Sequence, residues 1–480
     1  MRARARLAVE RLAYEGAKTG RRIGGWEASA AGPNAALTPN LTRLRARSRD
    51  LIRDVAVAAR AATLWPSKVV GTGMVAQFRC EDPQVLSKIE SLWADWSKQA
   101  GSDGESLESL QAVMVRAEFE GGECLLRRRF RLPSDGLAVP IQFQALEGDF
   151  LDLNRQGPTT GSQYAVGGIE FDGIGRRVGY WLYDRHPGEF MGPGALNSGG
   201  YASKLYPADE LFHLFERLRP GQVRGVPKLH PVMLRLKDLD DYEDAEVVRK
   251  RSEACMVGAV TQREGDGMPL SPAAIDPTSG RRFESMEPGA VYYLREGESM
   301  LFNNPAQTNS YESYKRSIAR DIAMGLHIPY ELLYGDLSQV NYSSYRGGLL
   351  SFRERIEEFR YNTFLPVCDW IFKNFLDAAR LSGLLPRGVP IDVTWVPPKF
   401  DLLDRLEEAK ADVMEIRAGL ETLPGAIARR GYDVRQHIAD IKHSNDELDK
   451  NGFTFDTDPR RIAGNGQTQQ TQNGGGNGTP

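Results

Sequence analysis

The residues best suited to metal binding or catalysis are six histidines and one acidic run. Of the histidines only His437 and His443 are close, and a spacing of six puts them on different faces of a helix. Metal ligands have to converge, so no metal is predicted there. The acidic run at 238–246 could hold divalent ions in a nuclease, but on a helix its side chains spread over several faces. A solvated helical surface is the simpler interpretation, and a metal-dependent DNA-processing enzyme stays an alternative. The acidic side chains concerned are Asp238, Asp240, Asp241 and Glu243.

Other catalytic motifs are weak in this sequence. The segment G-T-G-M-V-A at 71–76 fits the loose pattern of a dinucleotide fingerprint, but a predicted helix precedes it and no helix opening follows. A pair of β-turn glycines is the better interpretation. The sequence contains no G-x-x-x-x-G-K-[ST], H-E-x-x-H or G-x-S-x-G motif. We therefore expect neither an enzyme nor a bound cofactor.

Composition and charge are those of an ordinary globular protein, with 41% hydrophobic residues and a net charge of −3. A protein that binds DNA by neutralising phosphates carries a basic excess, which this chain lacks. No apolar run approaches the roughly 18 residues needed to span a bilayer, so no membrane association is expected. The N-terminus lacks an apolar signal core, and the sequon at Asn341 is therefore a chance match. Four widely spaced cysteines are expected to be free thiols: Cys80, Cys124, Cys255 and Cys368.

Local patterns predict several elements. One helix is expected over 41–64, stopped by Trp65 and Pro66. Residues 67–225 are expected to be mostly β with short helices, and strands are predicted in ECLLRRRFRL, PIQFQALE and RRVGYWLYD. A helix about 40 Å long is predicted at 229–257, and another at 310–326. The turn-rich segment between them contains a short strand signal, AVYYL.

The second half is predicted to be mainly helical. A helix from about Ser344 has one apolar face, with charged residues opposite. A strand is expected at 392–395, and two or three helices at 402–449, broken at 423–425 and at Gly431. The apolar face comprises Leu349, Phe352, Ile356, Phe359 and Thr363, and the charged face Arg353, Glu354, Glu357 and Glu358.

The order of these segments resembles the lambda-like family of tailed-phage portal proteins. The most specific blocks are RPGQVRGVPKLHPV and LHIPYELLYGDLSQVNYSSYR, and GGECLLRR and other blocks occur in the same order. One departure is PPKFDLLDRLEEA, where the family often has a D-P-x-K-E-x-x-A form. Residues of the two main blocks that match structural positions of the family are Arg219, Gln222, Arg224, Gly225, Pro227, Pro329 and Arg346.

The resemblance implies an α+β portal fold, with a mixed wing, a long-helix stem, a small β-containing clip and a helical crown. The composition by itself predicts a basic flexible arm at residues 1–33 and a disordered tail at 456–480. The remaining regions implied are the wing at 34–225 and 346–400, stem helices at 226–258 and 307–328, the clip at 259–306, a tunnel loop at 329–345 and the crown at 401–455.

The resemblance also implies partners. Portal proteins form rings, commonly of twelve subunits, at one capsid vertex, and double-stranded DNA passes non-specifically through the channel. Expected partners are the terminase large subunit, a head–tail adaptor, the major capsid protein and the scaffold, in the virion and in the host cytoplasm during assembly. A monomeric adaptor or minor capsid protein stays an alternative.

The tunnel loop is the candidate site. It carries no formal charge from Leu337 to Tyr345, which suits a surface past which DNA must slide. Ser344 is the predicted N-cap of the following helix, and Gly347 and Gly348 weaken its first turn. The candidate channel residues are Asp336, Leu337, Ser338, Gln339, Val340, Asn341, Tyr342, Ser343 and Ser344.

Overall fold

The computed structural model describes residues 29–189, 202–254, 258–262, 274–275, 282–283, 298–302, 311–338, 341–398, 400, 405–430, 432 and 434–453. The predicted arm at 1–33 therefore lies mostly outside the described residues, and the tail at 456–480 entirely so. The described chain combines runs of helices with antiparallel strands, which confirms the α+β class. The helices are α1 Pro33–Leu37, α2 Leu41–Asp54, α3 Ala56–Val69, α4 Pro83–Trp96, α5 Leu107–Gly121, α6 Met233–Ala254, α7 Tyr311–Gly325, α8 Tyr330–Tyr334, α9 Tyr342–Phe359, α10 Leu365–Leu381, α11 Arg405–Arg417, α12 Leu423–Arg429 and α13 Val434–Lys450. The strands are β1 Val75–Arg79, β2 Glu123–Phe130, β3 Ile141–Glu147, β4 Gly157–Pro158, β5 Tyr164–Val166, β6 Ile169–Phe171, β7 Arg177–Leu182, β8 Lys204–Pro207, β9 Leu211–Phe215, β10 Gly258–Gln262, β11 Ala274–Ile275, β12 Arg282–Phe283, β13 Glu298–Phe302 and β14 Asp392–Val396.

The helix predicted at 41–64 is in fact two helices. Val55 is extended (φ −104°, ψ 115°) and separates α2 from α3. The predicted stop at Pro66 is wrong, since Pro66 lies inside α3 and the helix ends at Val69. Proline removes one hydrogen bond from a helix, but Trp65 and Val69 are buried in the core. Their burial favours continuing the helix to its last turn. Beyond it, Gly71 and Gly73 have positive φ, which agrees with the predicted turn.

The prediction that 67–225 is mostly β with short helices is wrong for two segments, α4 and α5, of 14 and 15 residues. Both helices carry ordinary capping signals. The Asp82 side chain accepts from the amide of Gln84 at 2.8 Å, and Ser106 caps α5, which ends at the left-handed Gly122. Their apolar faces form much of the main core, which favours helices over strands in these two stretches.

Three sheets flank this core, and all their described pairings are antiparallel. Strand β2 is central in the order β3-β2-β9. Cys124 and Leu126 face the main core, whereas Leu125 belongs to a second cluster under the five-stranded sheet β4 to β8. Strands β1 and β14 pair across the chain, with Ala76 opposite Trp395. The four strands predicted at β2, β3, β7 and β14 are confirmed.

Helices α6 and α7 form an antiparallel pair. The ring of Tyr242 lies 4.8 Å from that of Tyr314, and Lys315 pairs with Glu243 at 2.6 Å. Residues 229–232 are turns, so α6 begins at Met233 rather than at 229, and its 22 residues span about 33 Å instead of the predicted 40 Å. Helix α7 confirms the prediction to within one residue at each end.

Between these helices, β10 pairs with β13 and β11 pairs with β12; the strand predicted at AVYYL lies outside the described residues.

Near the C-terminus three helices are present, in agreement with the prediction, but 423–425 opens α12 instead of breaking a helix. The break occurs at Gly419, whose φ is +72°, while Gly431 lies outside the described residues. Among the described residues, no helix is both long and apolar enough to cross a bilayer.

Candidate functional site

The candidate loop connects α8 to α9 and is shorter than predicted. Helix α8 occupies 330–334 and α9 begins at Tyr342, so the predicted loop at 329–345 includes one short helix and the first turn of another. Gly335 caps α8 with a φ of +72°, and its amide donates to the Glu331 carbonyl at 2.9 Å. The loop proper spans 336–341, of which Gln339 and Val340 lie outside the described residues. The predicted channel residues Tyr342, Ser343 and Ser344 lie in the first turn of α9.

Asp336 organises the first half of the loop. Its Oδ1 accepts from the Ser338 hydroxyl at 2.6 Å and from the Ser338 amide at 3.1 Å, while Tyr330 Oη donates to Oδ2 at 3.0 Å. These hydrogen bonds, those from Ser338 above all, lower the pKa of Asp336 below its ordinary value. Leu337 between them is 62% exposed. The loop therefore presents an apolar side chain while its one carboxylate is bound locally.

Asn341, and not Ser344, is the N-cap of α9. Its side-chain oxygen accepts from the Ser344 amide at 2.8 Å, the geometry by which asparagine satisfies a free amide of the first turn. The prediction for Ser344 is wrong because the chain becomes helical at Tyr342, two residues earlier. A cap fixes the point where the loop enters α9.

The base of the loop is packed against two other helices. Arg60 of α3 donates from Nε and Nη2 to the Leu332 carbonyl at 3.2 and 3.0 Å. The rings of Tyr330 and Tyr334 stack at 5.1 Å, and Leu333 is fully buried. On the other side the Pro329 ring lies beside the first turns of α9, where a Cβ added to Gly348 would lie 3.8 Å from Pro329 Cβ. These contacts hold α8 and give Pro329 a structural place, whereas Arg346 is exposed on α9.

The block at 219–227, which carries part of the family resemblance, surrounds a buried charge cluster. Arg224 is fully buried. It donates from Nε and Nη2 to Glu123 at 2.8 and 2.5 Å, and it donates to the carbonyls of Gly167 and Gly148 at 2.5 and 2.8 Å. The side chain thereby joins β2 to two turns of the second cluster.

Glu123 is the centre of this cluster. It accepts from Arg45 Nη2 at 2.5 Å and from the Gly225 amide at 2.7 Å, and His213 Nε2 lies 3.1 Å away. Burial alone would raise the pKa of Glu123, but Arg224 and Arg45 hold it well below the ordinary value. Burial lowers the pKa of His213 to about 4, so the imidazole is neutral at pH 7 and donates from Nε2 to the carboxylate.

Other residues of the block have structural roles too. Gln222 Oε1 accepts from the Arg219 amide at 3.2 Å, and its Nε2 donates to the Arg224 carbonyl at 2.8 Å. A Cβ on Gly225 would lie 1.9 Å from the carbonyl oxygen of Gly122, so only glycine fits there. Pro227 is buried and its carbonyl accepts from the His230 amide at 3.0 Å. Sequence reasoning identified Arg224 and Gly225 but missed their shared partner, Glu123. The one local signal for that partner is a glutamate at the first position of the apolar strand β2.

The alternative metal site finds no support among the described residues. Asp238 and Asp241 are exposed on α6, Asp241 pairs with Lys237 at 2.8 Å and Glu243 with Lys315. In the described chain one group has ligand-like spacing, Glu147, Asp149 and His186. Arg49 already donates to both of its carboxylates, at 2.6 and 2.5 Å, so a cation is present there without any metal.

The remaining candidates do not form a site either. His437 stacks on Tyr432 at 4.9 Å, and His443 lies 3.7 Å from Glu447, so the two histidines have separate neighbours. Free thiols are confirmed for three cysteines, while Cys255 lies outside the described residues. The three described thiols are Cys80, Cys124 and Cys368.

Comparison with known proteins places the chain in a family. The family model of the phage portal protein, lambda family, matches residues 19–360. The probable portal protein of Halomonas phage phiHAP-1 is 25% identical over 417 residues, covering 81% of this chain and 77% of the relative. Portal protein B of Escherichia phage lambda is 24% identical over 477 residues, covering 88% and 87%. Among solved structures, the neck of an empty GTA particle aligns with 86% of this chain and 97% of its own chain, at 15% identity and a TM-score of 0.44.

Proposed function

Because this chain belongs to the lambda family of phage portal proteins, we propose that it forms a homo-oligomeric ring, expected to hold twelve copies, at one vertex of a capsid. The observation that carries this proposal is the family match over residues 19–360, which includes α6, α7 and the candidate loop. The ring would be the channel through which double-stranded DNA is packaged and ejected.

We place the channel wall at the antiparallel pair α6 and α7 and the narrowest contact with DNA at the loop 336–341. The loop supports this assignment in two ways: its base is packed against α3, and its exposed part offers Leu337 rather than a cation. Tight phosphate contacts come from lysine and arginine and hold DNA in place. A neutral surface lets the duplex move.

The other regions follow the same plan. The wing would comprise 34–225 with 346–400, the stem 226–258 with 307–328, and the crown 401–455. The clip at 259–306 would bind the terminase large subunit during packaging and the head–tail adaptor afterwards, and the wing would meet the major capsid protein and scaffold. The chain would assemble in the host cytoplasm and remain in the virion. ATP hydrolysis would belong to the terminase, so we propose a structural role and not an enzyme.

The proposal is tested by electron microscopy of the purified chain and by deleting residues 337–340. The wild type should form rings with a central hole, and the deletion should leave the rings intact while blocking DNA packaging or retention. Leu381→Ser, at another exposed leucine (69% exposed) on α10, is the control and should package normally. A monomer with magnesium-dependent DNA cleavage would refute the portal assignment, and normal filling by the deletion would refute the role of the loop.

A further inference from the structure

A polar cleft of about 380 Å³ lies beside the end of β9, away from the loop and the stem pair. One wall is formed by residues 212–217 and the other by α9 and the turn Arg360–Phe364, where the helix widens into a π turn. Turns of this kind occur often at functional sites. The proposed channel makes no use of this cleft, so its residues need a separate explanation.

The cleft holds more positive charge than its own carboxylates neutralise. Of its three arginines, Arg355 pairs with Glu216 and with Glu358. Within the described part of the chain, Arg177 bonds to Tyr180 Oη at 3.3 Å and to His213 Nδ1 at 3.4 Å, with no carboxylate partner. Glu216 also pairs with Lys228, which lies outside the cleft.

Arg217, the third arginine, likewise has no carboxylate partner among the residues described; its guanidinium lies 5.9 Å from the ring of Phe215. The guanidinium of Arg177 lies 5.5 Å from the same ring. Two cations on one aromatic ring repel each other, and the attraction of each to the ring does not remove that repulsion. An anion bound between the two guanidinium groups would offset that repulsion.

The buried His213 fixes the position of Arg177 from the interior side of the cleft. His213 is buried and neutral, and because its Nε2 donates to Glu123 its Nδ1 is left to accept from Arg177. This hydrogen bond holds the guanidinium at the cleft instead of letting it turn to solvent. Preorganised cations of this kind cost little entropy when an anion binds.

We propose that this cleft binds a carboxylate side chain of a second copy of the chain, an inference that rests on the proposed ring. A ring built head to tail needs two different, complementary surfaces on each subunit, and a cationic cleft is one of them. The guanidinium fork matches a carboxylate in two parallel hydrogen bonds. The complement is available, since the chain has a net charge of −3 and exposed carboxylates elsewhere, such as Asp54, Glu81 and Asp244. A DNA duplex is too wide to enter so small a cleft.

Charge substitution tests the cleft in the full-length chain. Arg217→Glu changes an exposed side chain and Arg177→Gln removes the deeper charge. Arg176→Glu is the matched control, because Arg176 is 78% exposed, precedes β7 and faces Asp172 outside the cleft. Mass photometry over a range of concentrations should show that both cleft variants need at least about tenfold more protein for half-assembly, while R176E assembles like the wild type.

Zero-length cross-linking identifies the bound group. Rings of R217K, assembled from equal parts of ¹⁵N-labelled and unlabelled chain, are treated with a carbodiimide, and mass spectrometry should find position 217 joined to a carboxylate of a differently labelled copy. Links from position 217 to Glu216 or Glu358 of the same chain alone would overturn the inference, as would wild-type assembly by R217E. If the wild type itself forms no rings, the proposed function fails instead.

Discussion

Glu118 of α5 gives the structure a testable dependence on pH. Its side chain is buried, and Lys228 Nζ lies 3.1 Å from Oε1. Lys228 is shared with Glu216, which also pairs with Arg355 of α9. Burial, only partly offset by Lys228 and increased by the charge of Glu216, raises the pKa of Glu118 from 4.5 to about 7.

The magnitude and sign follow from the two pKa values. The difference between 4.5 and about 7 corresponds to about 3 kcal/mol. The folded chain holds the proton of Glu118 more tightly than the unfolded chain. The stabilisation is therefore fully present below about pH 4.5 and is lost as the pH rises to about 7. Above that pH the carboxylate is charged in both states and the contribution is constant.

Glu118→Gln removes this titration while keeping the size of the side chain. Urea unfolding between pH 5 and 8 should show that the variant gains free energy of unfolding relative to the wild type as the pH rises, by about 3 kcal/mol over the whole titration. Glu246→Gln is the control. Glu246 pairs with Arg249 on α6, outside this cluster, and its hydrogen bond from Arg249 lowers its pKa rather than raising it, so this variant should differ from the wild type by a constant amount over the same range. Parallel profiles for the wild type and E118Q would refute the reasoning.

Four further substitutions probe the core and the buried charges. Glu123→Gln should lower the free energy of unfolding by about 3–5 kcal/mol, because the buried guanidinium of Arg224 loses its anion and that of Arg45 keeps only Asp149, at 3.8 Å; an unchanged denaturation midpoint would show that they find other partners. Phe352→Ala and Ile356→Ala should each cost about 2–5 kcal/mol, against less than about 0.5 kcal/mol for Leu350→Ala at a more exposed position on the same helix; equal stability of all three would mean that this face is not core. Gly225→Ala should give little soluble protein, since its Cβ would overlap a backbone oxygen, and normal yield and stability would contradict that packing.

Elements with a regular apolar period could be predicted from the sequence. Helix α7 begins and ends within one residue of its prediction. Phe352, Ile356 and Phe359 of α9 are buried as their spacing requires. In each case the pattern is local and complete, so the side that faces the core can be seen without knowing what covers it.

Helices α4 and α5 and the break at Val55 could not be predicted in the same way. The stretch from Pro83 to Trp96 contains closely spaced apolar and aromatic residues that suit either a strand or a helix. Its capping signal at Asp82 favours a helix, but the choice is settled by aromatic packing with α10, where Trp93 meets Phe375 at 5.0 Å. Such contacts link residues far apart in the chain.

The buried charge cluster around Glu123 could not be predicted from the sequence for the same reason. Arg45 and Arg224 meet Glu123 across separations of 78 and 101 residues, and no spacing rule joins them. The family resemblance marked Arg224 and Gly225 as important without saying why. The structure gives the physical reason: a charged residue is tolerated in this interior only where its partners satisfy it.

The geometry of Asp336 changes what the candidate loop offers to DNA. From the sequence, this carboxylate was a charge at the edge of a neutral loop. In the structure both of its oxygens are engaged, by Tyr330 on one side and Ser338 on the other, and Asn341 uses its side chain to cap α9. Among the described residues of the loop, the side chains of Asp336, Ser338 and Asn341 therefore hold its shape by hydrogen bonds, whereas Leu337 is exposed. If the duplex passes this loop as proposed, its described point of contact is apolar, and friction depends on the shape of that side chain more than on charge.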